Sequence, residues 1–217
     1  MLALPPARAL RSDFDLLADS GKALPTSAPR RAAVLVPVHW PEAGRDDDAR
    51  LILTRRASDL SAHAGQVAFP GGRVEKGERD EEAALREARE EIALAPSRVE
   101  IAGRLEPYRT VTDYLVTPII GFIEGPLELV ADPREVAEIF TVPMRHVLDM
   151  SRYEHHVRNT ARGRRAYYVL PHETHFIWGA TAHMLYGLAE RFARLMETYS
   201  DCASKSGEPT ISHGEEQ

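Results

Sequence analysis

Short runs of apolar residues, each bounded by turn-forming residues, follow one another from Arg31 onward. Runs of this length that are rich in Val, Ile and Leu are typical of buried β-strands. The clearest strand predictions cover 32–40 (AAVLVPVHW), 50–56 (RLILTRR), 66–69 (QVAF), 99–105 (VEIAGRL), 114–124 (YLVTPIIGFIE) and 126–130 (PLELV). Weaker strand patterns cover 135–143, 153–157 and 166–170.

Amphipathic stretches near each end of the chain predict helices. Residues 7–21 (ARALRSDFDLLADSG) precede a Pro-containing linker, and residues 178–199 carry apolar residues at helical spacing. A charged helix is predicted over 81–93, with Asp80 as its N-cap and Pro96 ending it. Mixed strands with main helices at 81–93 and 178–199 predict an α/β or α+β sandwich, in which the sheet lies between helices.

The composition of the chain predicts one domain. Its 217 residues are 43% hydrophobic, which suffices for one substantial core. The domain is expected to span 31–199, after an N-terminal helix and linker at 1–30 and before a tail at 200–217 whose composition is typical of disorder. No apolar run is long enough for a membrane span, and prolines and arginine interrupt the opening segment. These features predict a cytoplasmic protein that does not bind membranes.

The net charge argues against one class of protein, and the single cysteine excludes two kinds of cysteine site. A formal net charge of −6 argues against a protein that binds nucleic acid, because phosphate contacts need a surplus of Lys and Arg on one face. The single cysteine, Cys202, rules out an internal disulfide and a thiolate metal cluster. An acidic protein can still bind an anionic small molecule where cations or arginines are placed locally.

The charged segment places three glutamates on one side of its predicted helix. At about 100° per residue, Glu87, Glu90 and Glu91 fall within an arc of roughly 100°. Glu87 and Glu91 form a like-charge i, i+4 pair, which costs roughly a few tenths of a kcal/mol unless something neutralises it. The helix alone leaves two interpretations open: a solvated face, or a site for a hard divalent cation such as Mg²⁺.

The turn before this helix favours the cation site. Gly71 and Gly72 let the backbone approach a ligand closely, and a backbone carbonyl there can supply one more oxygen to a cation. Glu78 precedes Arg86 by eight residues, so the two side chains can pair if the loop folds back onto the helix.

These residues resemble the Nudix box, a long signature with fixed spacing. The match consists of Gly72, then Glu78 after five residues, then the run 86–94 (REAREEIAL) after seven more. Two positions depart from the pattern: Ala93 stands where the family has glycine, and Ala88 is a small version of the usual aliphatic residue. Neither departure removes a carboxylate.

The resemblance extends to both sides of the box. Residues 53–72 (LTRRASDLSAHAGQVAFPGG) are similar to the signature of the coenzyme A pyrophosphatase branch of the family. Segments 116–123, 135–143 and 177–182 resemble that branch as well. Ser61 stands where the branch signature has arginine, and Asp113-Tyr114 replaces a Gly-aromatic pair. These departures bear on the substrate rather than on the fold or the reaction.

The resemblance implies a Nudix-type α/β/α sandwich with a mixed sheet. It also implies hydrolysis of a nucleoside diphosphate linked to another moiety, with Mg²⁺ or Mn²⁺ as cofactor. The site residues that it implies are Glu90, Glu91 and the Gly72 carbonyl as metal ligands, Glu87 as a ligand or the base, and Arg86 with Glu78 as the pair that orients the cluster.

Residues outside the box are expected to bind the substrate. The candidates are Arg55, Arg56, Ser61 and His63. Because Arg55 and Arg56 are consecutive at a strand end, only one of them is expected to face the site. His63 either contacts phosphate or bonds its own loop. Glu135 and Glu138 are candidates for a further carboxylate that often assists in this family, and each can equally be a surface residue of a strand.

The leading hypothesis is cleavage of coenzyme A to 3′,5′-ADP and 4′-phosphopantetheine. Loss of the branch arginine at Ser61 is expected to leave only a weak preference for coenzyme A over dephospho-coenzyme A. Alternatives are a small-molecule substrate such as ADP-ribose, a dinucleotide or a nucleoside triphosphate, or a nucleotide-binding module without turnover. The intact Glu87, Glu90 and Glu91 argue against the last of these. Family members are often dimers, so a homodimer stays open.

Overall fold

The computed structural model describes residues 11–12, 28–42, 48–59, 63–160 and 163–205. Its strands are β1 (Arg11–Ser12), β2 (Arg30–Trp40), β3 (Arg50–Arg56), β4 (Val67–Ala68), β5 (Gly71–Arg73), β6 (Glu100–Arg104), β7 (Tyr108–Arg109), β8 (Tyr114–Glu124), β9 (Val136–Pro143), β10 (Glu154–Thr160), β11 (Gly163–His172) and β12 (His175–Trp178). Its α-helices are α1 (Asp80–Ile92), α2 (Met144–Leu148) and α3 (Gly179–Lys205), and 3-10 turns lie at Pro96–Arg98 and Met150–Arg152.

Strand β2 lies at the centre of a nine-stranded mixed sheet. One edge of β2 runs parallel to β8 along its whole length. Its other edge pairs with β3 only around the Val38–Leu51 pair, and nearer its start this edge pairs with β5. The corresponding edge of β3 pairs with β4. The segment from β4 to β5 therefore lies between β2 and β3, and it leads directly into α1.

Alternation along the central strands gives the sheet two apolar faces. Leu35 belongs to the face that packs against α1, where Ala88 is fully buried. Val36 and Leu53 belong to the opposite face, which packs against Leu185 of α3. The three-stranded sheet β10–β12 adds to the α3 side. The predicted α/β/α sandwich with a mixed sheet is confirmed.

The strand predicted at 126–130 is wrong. The segment has no strand pairing; Leu127 and Leu129 pack instead against the core beneath α1. Arg98 Nη2 donates to the carbonyls of Glu124 and Pro126. The alternation in the sequence does match the burial of every second residue. However, the side chain of Arg98, and not a neighbouring strand, bonds these two backbone carbonyls.

Both ends of the chain differ from expectation. Arg11–Ser12, inside the helix predicted at 7–21, pairs as β1 in parallel with β7, and the rest of that prediction lies outside the described residues. Helix α3 continues to Lys205, past the predicted boundary at 199, because 200–205 contain neither Pro nor Gly to end it. The rest of the predicted tail, 206–217, also lies outside the described residues.

Several short elements have no counterpart in the sequence prediction. Strands β5 and β7 and helix α2 are too short to show a period. Strand β12 pairs with β11 from Val169–Trp178 to His172–His175, and it ends just before α3. No helix in the described part of the chain is long and apolar enough to cross a membrane.

Candidate active site

Helix α1 carries the three glutamates of interest, and side chains fix its start. Arg79, not the expected Asp80, is the N-cap, and Glu82 accepts from both the Arg79 N–H and its guanidinium. Asp80 is the first helical residue, and its carboxylate accepts from Arg31 and Thr117. The start of α1 is therefore fixed to β2 and β8.

The end of α1 carries one of the departures from the Nudix box. The helix ends at Ile92, and Ala93 has the left-handed conformation, with φ of 56°. Its N–H donates to the Arg89 carbonyl at 3.1 Å. Glycine adopts this conformation without strain, whereas in alanine the conformation costs about 1 kcal/mol. Ala93 therefore keeps the backbone conformation that glycine would adopt, with local strain next to Glu91.

Glu91 is buried, with 3% of its surface exposed, so the solvated-face interpretation is wrong for this residue. Its Oε2 accepts from the Gly71 N–H at 3.2 Å, and its Oε1 lies 3.7 Å from Arg56 Nη1. Burial raises the pKa of Glu91 to about 8, because it outweighs the effect of these two donors. Burial also raises the pKa of Glu87, against the opposing effect of Arg86. The negative charge of these two carboxyl groups is therefore only partly compensated.

Arg86 joins three carboxylates and the preceding loop. Its Nε and Nη2 donate to the two oxygens of Glu78, at 2.9 and 3.2 Å. Its Nη1 donates to Glu87 at 2.9 Å and to the exposed Glu90 at 3.2 Å, and its Nη2 also donates to the Arg73 carbonyl. These bonds hold the pKa of Arg86 above its usual range and that of Glu78 below. The pairing of Glu78 with Arg86 expected from the spacing is present.

The two glycines of the turn allow close backbone contact. A Cβ on Gly72 would overlap the Glu87 carboxylate, and a Cβ on Gly71 would lie 2.5 Å from the Ala33 carbonyl oxygen. The backbone at position 72 therefore lies directly against Glu87. This contact is the kind of close approach that the glycines were expected to permit.

Arg55 and Arg56 point in different directions, as alternation predicts. Arg56 extends to Glu91 on the α1 side of the sheet. Arg55 donates from Nε to Glu138 Oε2 at 2.9 Å. Only Arg56 therefore faces the carboxylates of α1.

Of the two other candidates for substrate binding, His63 lies in the loop before β4. His63 has a left-handed backbone, with φ of 59°, and its Nδ1 lies 2.9 Å from Gln66 Oε1. Its carbonyl accepts from the Gln66 N–H. His63 thus bonds within its own loop, the second of the two alternatives that the sequence allows. Ser61 lies outside the described residues.

The structure separates the two candidates for a further carboxylate. Glu138 bonds Arg55 and His175, away from α1. Glu135 is exposed just before β9, and its charge adds a minor increase to the pKa values of Glu87 and Glu91, which burial mainly raises. The pairing of β3 with β9 is irregular between Arg55 and Arg56, and Glu135 precedes the first residue of β9, so alternation counted from the sequence does not fix the face on which Glu135 lies.

The oxygen donors around α1 have the chemistry of a site for a hard divalent cation. Glu87, Glu90 and Glu91 offer carboxylates and Gly72 a carbonyl, the ligands that Mg²⁺ and Mn²⁺ prefer. Within the described residues, no three acidic, His or Cys side chains converge to hold a metal ion. Arginine side chains bond these carboxylates instead. The partly compensated, buried Glu91 is the feature that fits a bound cation.

The chain is similar to known proteins in sequence and in fold. Residues 29–161 match the NUDIX domain family. The chain is 39% identical over 166 residues to a Pectobacterium atrosepticum protein named uncharacterized Nudix hydrolase NudL, covering 76% of this chain and 84% of that protein. A protein of the same name from Photorhabdus laumondii is 40% identical over 164 residues, 75% of this chain and 84% of that protein. A solved Nudix hydrolase from M. smegmatis, RenU, is similar over 56% of this chain and 74% of its own, with 26% identity and a TM-score of 0.46.

The family match spans more than half of the chain and includes the whole of α1. Nudix enzymes act on small-molecule nucleotide substrates that contain pyrophosphate, and they generally use divalent metal ions. The chain therefore belongs to the Nudix family of hydrolases.

Proposed function

We propose that this enzyme hydrolyses the pyrophosphate of coenzyme A or a close derivative, with Mg²⁺ or Mn²⁺ as cofactor. Water adds to one phosphorus, the bridging P–O bond breaks, and two phosphate monoesters result. From coenzyme A these products are 3′,5′-ADP and 4′-phosphopantetheine.

One observation carries the proposal: the segment that resembles the coenzyme A pyrophosphatase branch supplies the partners of Glu91. Arg56 and Gly71, both within 53–72, are the residues that contact the Glu91 carboxylate. Phe69 of the same segment is buried in the core, which fixes the turn. Arg56, Gly71 and Phe69 of the branch-like segment would therefore line the site around α1.

The charges around α1 suit a substrate with a pyrophosphate. A bound divalent cation would screen the phosphate charge and acidify the attacking water. Glu90, Glu91 and the Gly72 carbonyl would hold that cation. Arg56 lies beside Glu91, and 26% of its side chain is exposed. The exposed part of its guanidinium would donate to phosphate oxygens.

Glu135 is the further carboxylate that we assign to the reaction. It is exposed, so water can reach it, and its charge makes a minor contribution to the raised pKa values of Glu87 and Glu91, after burial. A carboxylate in this position can accept a proton from the attacking water. Glu87 or Glu135 would thus serve as the base.

A substrate panel tests the proposal. The protein is incubated with Mg²⁺ and coenzyme A, dephospho-coenzyme A, ADP-ribose, a dinucleotide or a nucleoside triphosphate, and the products are identified by mass. A chelator provides the control for each compound. We expect 3′,5′-ADP and 4′-phosphopantetheine from coenzyme A. Cleavage of another compound alone would move the enzyme to that substrate class, and cleavage of none would favour a binding module.

A further inference from the structure

A second polar cluster lies on the opposite face of the sheet from Glu91. Arg55 and Arg56 are consecutive, so their side chains leave β3 on opposite faces. Arg56 meets Glu91, whereas Arg55 bonds Glu138. The Cα atoms of consecutive residues are about 3.8 Å apart. The two arginines therefore begin next to each other at the end of one strand.

Glu138 is held from a second side by His175. Its Oε1 lies 3.2 Å from His175 Nε2. The imidazole of His175 stacks on Phe140, with ring centroids 3.7 Å apart and an angle of 7° between the planes. Only 10% of the His175 side chain is exposed. A packed ring from β12 thus fixes the carboxylate that bonds Arg55.

Stabilisation of the fold does not explain this cluster of Arg55, Glu138 and His175. The Arg55 and Glu138 side chains are 41% and 39% exposed, and ion pairs of this exposure contribute little. His175 Nδ1 is buried and has no hydrogen-bond partner among the described residues. A buried polar atom left in that state is costly. The arrangement therefore calls for a role other than stabilising the fold.

The guanidinium N–H groups of Arg55 that do not bond Glu138 indicate that role. Its Nε bonds Glu138, and within the described residues its Nη1 and Nη2 have no acceptor. A guanidinium presents its N–H groups as a planar fork that matches two oxygens of a phosphate. Arg55, and after it His175, hold the pKa of Glu138 below its usual range, so the carboxylate stays ionised and keeps Arg55 in place.

We infer that Arg55 binds a phosphate monoester that the substrate carries apart from its pyrophosphate, and that Glu138 and His175 position Arg55 for this contact. The inference rests on the proposed function, because it takes the pyrophosphate to lie beside Arg56. Because Arg55 and Arg56 lie on opposite faces of the sheet, the nucleotide would reach Arg55 around the end of β3, where both residues lie. The 3′-phosphate of coenzyme A is a group of this class, and Arg55 supplies the guanidinium that Ser61 does not.

Equilibrium binding of two nucleotides that differ by one phosphate tests the inference without turnover. Adenosine 3′,5′-bisphosphate and AMP are titrated into the protein at fixed Mg²⁺ and fixed ionic strength. We expect the wild type to bind the bisphosphate about 5-fold to 30-fold more tightly, as suits one partly exposed bidentate contact. Inorganic phosphate is titrated separately, and weak binding of it would show that the nucleotide is needed to present the group.

Variants assign the preference to Arg55. Arg55→Gln should bind both nucleotides equally, and Arg55→Lys should keep part of the preference, because lysine retains the charge without the fork. Glu138→Gln and His175→Phe should lower the preference while leaving the affinity for AMP unchanged, which a general loss of folding would not do. The matched control is Arg158→Gln, since Arg158 is exposed on β10.

The outcomes separate this inference from the proposed function. Absence of cleavage of every pyrophosphate compound would refute the proposed function, and the binding ratio can still be measured. Equal affinity of the wild type for the two nucleotides, or no binding of either, would overturn the inference. An unchanged preference in Arg55→Gln would overturn it as well.

Discussion

The Glu87 carboxylate occupies the space that a side chain at position 72 would need. An ideal Cβ on Gly72 would lie 2.6 Å from Glu87 Oε2. The position of Glu87 therefore favours glycine at this position. Any larger residue must displace either the carboxylate or the backbone that lies against it.

Gly72→Ala should lower kcat/KM for coenzyme A on the order of 10²-fold, because misplacing a reacting group by about 1 Å can cost that much. A double-mutant cycle with Glu87→Ala supplies the control. If Glu87 is the residue that is displaced, adding Gly72→Ala to Glu87→Ala should have only a small further effect. An equal loss in both backgrounds would show that the contact with Glu87 is not the cause.

Ala93→Gly should stabilise the protein. Ala93 has a left-handed backbone, with φ of 56°, which glycine adopts without strain. We expect the free energy of unfolding in urea to rise by about 0.5–1 kcal/mol, because relief of the backbone strain outweighs the entropy that glycine gains in the unfolded chain. Turnover should stay close to wild type, because the backbone shape beside Glu91 is kept. A loss of stability would mean that the alanine side chain contributes more than its strain costs.

The sequence predicts those parts of the site that depend on local spacing. The eight-residue separation of Glu78 and Arg86 suffices to expect their pairing, which Nε and Nη2 of Arg86 make. Alternation along β3 likewise separates Arg55 from Arg56. Both relationships join residues that are close in the sequence, where period and spacing determine which side chains can meet.

Relationships between distant elements are not predictable in this way. The helical period places Glu91 with Glu87 and Glu90, yet Glu91 is buried, because β5 crosses it and presents the Gly71 N–H. A strand of three residues shows no period in the sequence. The contact of His175 with Glu138 depends both on the pairing register of β9 and on the position of β12 in the fold.

The stability of the metal-free protein should fall as pH rises through the titration of Glu91. Its pKa is raised from 4.5 to about 8, so between these values the folded chain keeps a proton that the unfolded chain has lost. The free energy of unfolding therefore decreases over this interval, by up to about a few kcal/mol. Urea unfolding from pH 5 to pH 9 in the presence of a chelator measures it.

Glu91→Gln should remove this decrease, since the amide does not titrate. The variant should thus be more stable than the wild type at pH 9 and differ less from it at pH 5. Glu90→Gln is the matched control: Glu90 is exposed, so its variant should follow the wild-type pH dependence. Parallel curves for Glu91→Gln and the wild type would contradict the assignment.

Glu135→Gln should lower turnover by a factor on the order of 10²–10⁴ if Glu135 takes a proton from water. The affinity for AMP should change little, since the assigned role is in the reaction. Glu128→Gln is the control, because Glu128 is exposed and lies in the loop between β8 and β9. A rate for Glu135→Gln equal to that of this control would leave Glu87 as the base.

The kcat/KM of Glu91→Gln for coenzyme A at saturating Mg²⁺, compared with the wild type, tests most directly whether Glu91 holds the cation. Glu91 is the buried carboxylate at which α1, the Gly71 turn and Arg56 meet. We expect a loss on the order of 10²–10⁴-fold, because a ligand of the cation and its charge are removed together. A near-normal kcat/KM in a folded Glu91→Gln protein would show that Glu91 does not hold a catalytic cation.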